Sequence, residues 1–371
     1  MRVRRPERPG LAQSLWDIGV TMRNSPAVER ILARIPSSRG VILRYHSVND
    51  DPVWTGDYMQ ETLVVAPGDF EKHVSHLVER YRIVSVDQLV DAMRRGRAID
   101  ARTVAITFDD GYEDNFRFAF PILRRHGATA TFYVTTGAVA DEEILWTVRL
   151  RHAVRRSRQR ALCLSFLRDR TVDLSTDEAR EEAIKLLTTI FKQSSRLRAD
   201  AVLDEVLDRC GVGFEDGGRR IMMNWDEIAE MHRAGMTIGS HSVGHYNLPS
   251  LDAHELTAQV SESKARLEDA LGERVDHFAY PNGRVSSHFD ARVARVVAEE
   301  GFRSAVTSVR GYVSARHSPY CLPRLGVRAR SIDVVRLGAD IQRARLARTG
   351  GRIAWAGDEA RRGASPRSRT G

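Results

Sequence analysis

The chain has 371 residues, 42% of them apolar and 29% charged, enough for one large α/β domain with extensions or for two domains. Its formal net charge of +8 comes mostly from arginine at the two ends and in residues 149–170, which suits weak contact with an anionic membrane surface. Without interleaved aromatics or a recognised module, that charge does not indicate nucleic-acid binding. Cys163, Cys210 and Cys321 are far apart, odd in number and lack Cys-x-x-Cys spacing, which argues against a disulfide framework or thiolate zinc site and fits a reducing compartment.

The basic N-terminus runs into residues 11–20, where Gln13, Ser14 and Asp17 break any apolar run, so no signal peptide is expected. No apolar stretch approaches the roughly 20 residues of a transmembrane helix. The expected location is cytoplasmic, with contact at a membrane periphery. Residues 1–39 read as a basic, partly helical extension, with weak helical periodicity over 11–35. Residues 41–46 are expected to form the first core strand, ending at His46, and residues 70–80 a helix with Phe70, Val74 and Leu77 on one face. A short strand near Val84 leads into a helix ending near Arg97.

The β-branched run at residues 103–108 predicts a buried strand that stops on Asp109-Asp110-Gly111. Residues 116–126 read as a helix stopped by Gly127, and 128–135 as a strand. Residues 141–218 break the alternation and read as a helical insertion without strands. The βα rhythm resumes with helix starts at Asn224 and Asp252, each followed three residues later by Glu, and with strands at 236–240, 277–281, 303–307 and 322–327. From about residue 345 the composition is that of a disordered basic tail. About seven strands alternating with helices predict an α/β fold, a distorted (β/α) barrel with a helical insertion. Its two parts would span residues 40–140 and 219–344.

Ligands bind at strand carboxyl ends in such folds. Three polar motifs fall there: Asp109-Asp110, His241-x-x-x-His245 and Tyr280-Pro281-Asn282-Gly283. Each has an ordinary explanation as a turn or a chance pair, but together, at successive strand ends, they point to a site. Two adjacent carboxylates repel and call for a cation. Two imidazoles with one carboxylate form a common set for a catalytic divalent metal, and a second carboxylate beside metal-bound water can serve as general base.

The motifs Thr107-Phe108-Asp109-Asp110-Gly111 and His241-Ser242-x-x-His245 resemble those of the polysaccharide deacetylase family, carbohydrate esterase family 4. The resemblance covers about residues 40–330 and extends to Tyr45-His46, Asn224-Trp225-Asp226-Glu227 and Phe278-Ala279-Tyr280-Pro281-Asn282-Gly283. It implies that Asp110, His241 and His245 hold a divalent metal, with Zn2+ the usual default. Asp109 would be the base that deprotonates metal-bound water for attack on an acetamide carbonyl, and the Asn282 backbone N–H would help hold the oxyanion. The substrate would be an N-acetylated polysaccharide or its lipid-linked precursor.

Two family features are absent. Ala279 stands where many members place an Arg that orients the base, with Asn282 in place of an aromatic residue. The late Leu-x-His motif that supplies a general acid is replaced by Tyr320-Cys321-Leu322-Pro323-Arg324-Leu325. The Phe-Ala-Tyr-Pro variant resembles a subgroup associated with exopolysaccharide processing. Arg324 can take over the orienting charge, and His46, with an ordinary pKa of roughly 6.5, can protonate the leaving amine. Tyr280, Asn282 and Arg324 would face the substrate. The alternative is a non-catalytic glycan-binding or scaffold protein on the same fold, which the missing Arg and His favour and the intact Asp-Asp and His pair oppose.

Overall fold

The computed structural model describes residues 39–327, apart from 101, 142, 169 and 215–219, and beyond them residues 337, 338 and 341. The helix expected at 11–35 and the tail from 345 lie outside the described residues. The chain opens with β1 (Val41–Tyr45), then the paired two-residue strands β2 (Ser47–Val48) and β3 (Val64–Val65). Helix α1 (Pro67–Arg80), β4 (Arg82–Ile83), α2 (Val86–Arg94) and β5 (Thr103–Phe108) follow. Next come α3 (Phe120–Arg125) and β6 (Thr131–Val134). The inserted segment holds α4 (Trp146–Arg156), β7 (Ala161–Cys163), β8 (Thr171–Asp173), α5 (Asp177–Gln193) and α6 (Arg196–Cys210). The alternation then continues through α7 (Trp225–Arg233), β9 (Thr237–Ser240), α8 (Ala253–Leu271), β10 (His277–Ala279), α9 (Ala291–Glu299), β11 (Ser304–Val306) and β12 (Leu325–Gly326).

The main sheet is parallel, in the order β11-β10-β9-β6-β5-β1-β12, with β4 beside β5. It curls into a distorted (β/α) barrel of seven successive strands, because its last segment spans the gap between its edges. Leu322 donates to Ala305 O (3.0 Å) and accepts from Thr307 N–H (2.9 Å), while three residues on β12 pairs with β1.

Strand alternation sorts the side chains into two layers. Ile42, Ala105, Tyr133, Ala279 and Val306 form the apolar cluster inside the curl. Leu43, Tyr45, Ile106, Phe108, Phe132, Phe278 and Tyr280 pack outward against the helices. Phe108 is fully buried between Tyr45 (5.4 Å) and Phe132 (4.7 Å), and each such burial contributes about 1.5–3 kcal/mol.

Both predicted capping boxes form. Asn224 Oδ1 accepts from Glu227 N–H while the Glu227 carboxylate accepts from Asn224 N–H, and Asp252 with Glu255 does the same. The inserted segment has its own core, built around Leu150, Val154, Leu187, Phe191 and Val206. It is not wholly helical: β7 and β8 form an antiparallel hairpin where the sequence suggested helix. These strands are three residues long, with only their central Leu162 and Val172 buried, so they offered too little alternation to outweigh the flanking helical pattern.

Candidate active site

All parallel strands of the main sheet deliver their carboxyl ends to one face. Strand β5 ends there on Asp109 and Asp110, which are 2% and 7% exposed. The turn requires Gly111. Its φ is +92°, and a Cβ at that position would lie 3.3 Å from Val134 Cγ1.

Two neighbouring buried carboxylates repel, and each is stabilised differently. Arg324, 1% exposed, grips Asp109 with both ends of its guanidinium: Nη1 donates to Oδ1 (2.6 Å) and Nη2 to Oδ2 (2.7 Å). Arg324 is itself fixed, with Nε donating to Thr307 O (2.8 Å) and Nη1 to Thr107 Oγ1 (3.2 Å). Its guanidinium lies 5.7 Å from the centre of the Tyr133 ring, in the bore that Ala279 shares with Tyr133. An Arg at position 279 would enter that bore from β10; here the charge reaches Asp109 from the closing segment, and Ala279 leaves the space open. Burial pushes the Asp109 carboxyl up, but Arg324 outweighs it and holds the group down at about 2.

Asp110 meets no arginine among the described residues. Its Oδ1 faces His241 Nε2 at 3.3 Å and His245 Nε2 at 3.4 Å, yet it is buried with no hydrogen bond. His241 Nδ1 lies 2.7 Å from Ala279 O, which fixes the proton on Nδ1 and turns the Nε2 lone pair toward Asp110. The two turns that bring these groups together are strained: Asp110 after β5, and Ser242 and His245 after β9, all have left-handed φ angles (78°, 68° and 55°). Ser242 Oγ accepts from His245 N–H (3.1 Å), and Trp146 Nε1 donates to His245 O (3.0 Å).

The donor set fits a divalent cation. One oxygen and two nitrogens lie within 4.8 Å of one another, and bonds of about 2.0–2.2 Å would place donors roughly 3.0–3.4 Å apart. A buried carboxylate oxygen facing two imidazole nitrogens without a hydrogen bond is costly without a cation and well satisfied with one.

His46 follows β1, and its charge couples to both aspartates. Its backbone carbonyl accepts from Asn115 Nδ2 (2.7 Å). Burial, then the Arg44 charge, push its imidazole down to about 4 against the pull of the aspartates, so the ordinary value expected from sequence does not apply. Asn282, also left-handed (φ 61°), has a main-chain N–H without a hydrogen bond among the described residues.

Tyr280 does not face the substrate, contrary to the expectation from its motif. Strand alternation sends it to the helix side, where its ring stacks on Phe289 (4.3 Å) and its hydroxyl donates to Tyr320 O (3.0 Å). Arg324 sits with Asp109 inside the curl rather than on the substrate side, so its place is that of an orienting charge.

Sequence reasoning missed several supporting residues. Asp114 is fully buried, accepts from Ser47 Oγ (2.5 Å) and Asn115 Nδ2 (2.8 Å), and lies in the network that fixes the His46 turn. Trp54 Nε1 donates to the same Ser47 Oγ (2.9 Å). Trp146 and Lys192, from the inserted segment, border the His245 loop. The Asp-Asn pair four residues after Asp110 could have drawn attention; nothing in the insertion's sequence would have.

The fold and site define a deacetylase-type scaffold with a candidate Asp/His/His cation site. The chain belongs to the polysaccharide deacetylase family, whose sequence model matches residues 96–163 and 212–305. The Bacillus subtilis protein YxkH is 18% identical over 287 residues, covering 77% of this chain and 70% of that one. The Streptococcus pyogenes deacetylase PplD superposes with a TM-score of 0.56 at 19% identity, over 82% of this chain and 99% of the other. A polysaccharide deacetylase from Bacillus cereus gives 0.53 at 18%, over 82% and 69%. At these identities the structural likeness speaks for the fold.

Proposed function

We propose that this protein removes N-acetyl groups from a polysaccharide or its lipid-linked precursor in a metal-dependent hydrolysis. The observation that carries this reading is the division of two adjacent buried carboxylates, one gripped by arginine and one aimed at two imidazoles. PplD, whose fold this chain shares, was solved with acetate, the acid such a hydrolysis releases.

Asp110, His241 and His245 would hold the cation, with zinc the first candidate for a His/His/Asp set. That cation supplies Lewis acidity, polarising the acetamide carbonyl and acidifying water. Asp109 takes the proton from the attacking water. Arg324 fixes the orientation of its carboxylate and keeps it ionised beside Asp110, and a base held that low soon passes its proton on. His46 is neutral at pH 7, so it accepts a proton during turnover before giving it to the leaving amine. The free N–H of Asn282 is placed to receive the carbonyl oxygen as it gains charge.

The Phe278-Ala279-Tyr280-Pro281 sequence supports an exopolysaccharide-type substrate. The basic chain ends suit an anionic membrane surface, where a lipid-linked precursor would be met on the cytoplasmic side. The non-catalytic alternative rested on the missing Arg and His, and Arg324 supplies the charge at Asp109.

The test is acetate release from a panel of N-acetylated glycans, with and without chelator. Chelator-sensitive release, restored by adding zinc, is expected. Glycan binding without release from any member would favour the non-catalytic alternative.

A further inference from the structure

A cavity of about 490 Å³ lies between the barrel and the inserted segment. The barrel lines it with the loops after β6 and β9, through Thr135, Gly137, Val243 and Gly244. Val243 and Gly244 stand between His241 and His245 in the chain, so the cavity adjoins the candidate cation site. The insertion supplies the facing wall. Trp146 and Arg149 are three residues apart on α4, and Asp200 and Asp204 are four apart on α6, spacings that put each pair on one helix face.

The walls are held in place by internal contacts. Gly137 N–H donates to Val243 O (2.9 Å), and a Cβ at position 137 would come within 2.8 Å of that oxygen, so the two barrel loops lie this close because the residue is glycine. Trp146 stacks on Phe191 (3.9 Å) and donates to His245 O (3.0 Å). The Tyr246 hydroxyl, from the barrel, donates to Asp200 Oδ1 (2.7 Å), and the Arg196 guanidinium lies 5.5 Å from the Tyr246 ring centre. The cavity is therefore built before any ligand arrives.

Its size falls within the roughly 300–1,000 Å³ of small-ligand sites. Trp146, Leu203 and Phe214 contribute apolar surface, while Glu143, Asp200, Asp204, Arg149 and Arg196 mix both signs of charge. Among the described residues, the side chains of Glu143, Arg149 and Asp204 have no hydrogen bond or ion pair. That lining suits neither a multiply charged anion nor an oily ligand. It suits a ring with an apolar face and a rim of hydroxyls, which donate to carboxylates and accept from guanidiniums.

A hexosamine ring has that chemistry. We propose that the cavity is a second sugar-binding subsite, holding a ring of the substrate chain away from the sugar that is deacetylated. This rests on the deacetylase reading for the kind of polymer presented. A chain held at both places binds more tightly than one too short to span them, so the insertion makes the protein selective for length.

Calorimetric binding to the zinc-loaded full chain tests the inference with N-acetylglucosamine and its β-1,4- and β-1,6-linked oligomers, up to about the hexamer. In at least one series affinity is expected to step up about tenfold or more at a particular length. The step should vanish in the Arg149→Ala/Asp204→Ala double variant and survive in part in Arg149→Lys/Asp204→Asn. Acetate release from the shortest oligomer turned over should be that of the wild type in both. The same lengths with free amines identify whether the held ring is N-acetylated or already deacetylated.

Affinity that is flat with length in every series would overturn the inference. So would an undiminished step in a folded double variant, because the second ring would then be held elsewhere. Acetate release measured in parallel separates the two readings. A step without release from any oligomer counts against the hydrolase alone, whereas release with flat affinity counts against the subsite alone.

Discussion

The barrel face and the inserted segment meet at His245, and they are satisfied in opposite ways. On the barrel side most polar groups have an assigned partner: Asp109 has Arg324, Arg324 has Thr307 and Thr107, and His241 has Ala279 O, with Asp110 Oδ1 left to the candidate cation site. On the insertion side, Lys192 lies over the Trp146 ring and makes no ion pair among the described residues. A group locked by internal bonds performs one fixed task. In this molecule the candidate cation site is built into the barrel, and the inserted segment braces it from outside through the Trp146 bond to His245 O.

The sharpest way to break that contrast is on the barrel side. Asp110→Ala is expected to lose the bound divalent cation and drop acetate release to background, read by metal analysis and an acetate assay. Unaltered metal affinity would remove Asp110 from the ligand set. Next in size is Arg324→Gln, which leaves Asp109 buried and unpaired. It should cost about 3–5 kcal/mol of stability, seen in denaturant unfolding, and lower kcat far more than it raises KM. A loss well under 1 kcal/mol would mean that water replaces the guanidinium.

A smaller effect comes from Asp114. Burial raises its carboxyl from the ordinary 3.8 to about 6, against the hydrogen bonds from Ser47, Asn49 and Asn115. The folded protein therefore holds this proton more tightly than the unfolded chain. The stability this contributes is fully present below about pH 4 and is lost as pH rises through about 6, a change of roughly 3 kcal/mol. Asp114→Asn mimics the protonated form, so its stability relative to wild type should climb over that window. Parallel pH profiles for the two proteins would show Asp114 to be ionised in both states. The smallest change is at the seam: Trp146→Phe removes the bond from the insertion to His245 O, with an expected loss of about 0.5–1.5 kcal/mol and a few-fold weaker cation binding.

The same contrast explains what was legible in the sequence. Asp109-Asp110 and His241/His245 could be read because they sit at strand ends, where a period-two apolar run stops on polar residues and the parallel topology brings the ends together. Arg324 could be proposed because the charge missing at Ala279 had to come from some other strand end. Tyr280 was misplaced because a motif names residues without saying which side of the strand each faces; alternation turns Ala279 inward and Tyr280 outward. The β7–β8 hairpin was too short to show a period. Lys192 was invisible in principle. A lysine near the end of an amphipathic helix reads as solvated, and only the docking of α5 against the His245 loop puts it beside the site.

The measurement that bears most directly on the division between the two aspartates is made on Asp109→Asn. Its divalent metal content and its acetate release from an N-acetylated glycan are compared with those of the wild type. One cation per chain, with release reduced by about 10²–10⁴-fold, is expected of a base that does not hold the metal. Release at the wild-type rate, or loss of the cation together with the activity, would contradict it.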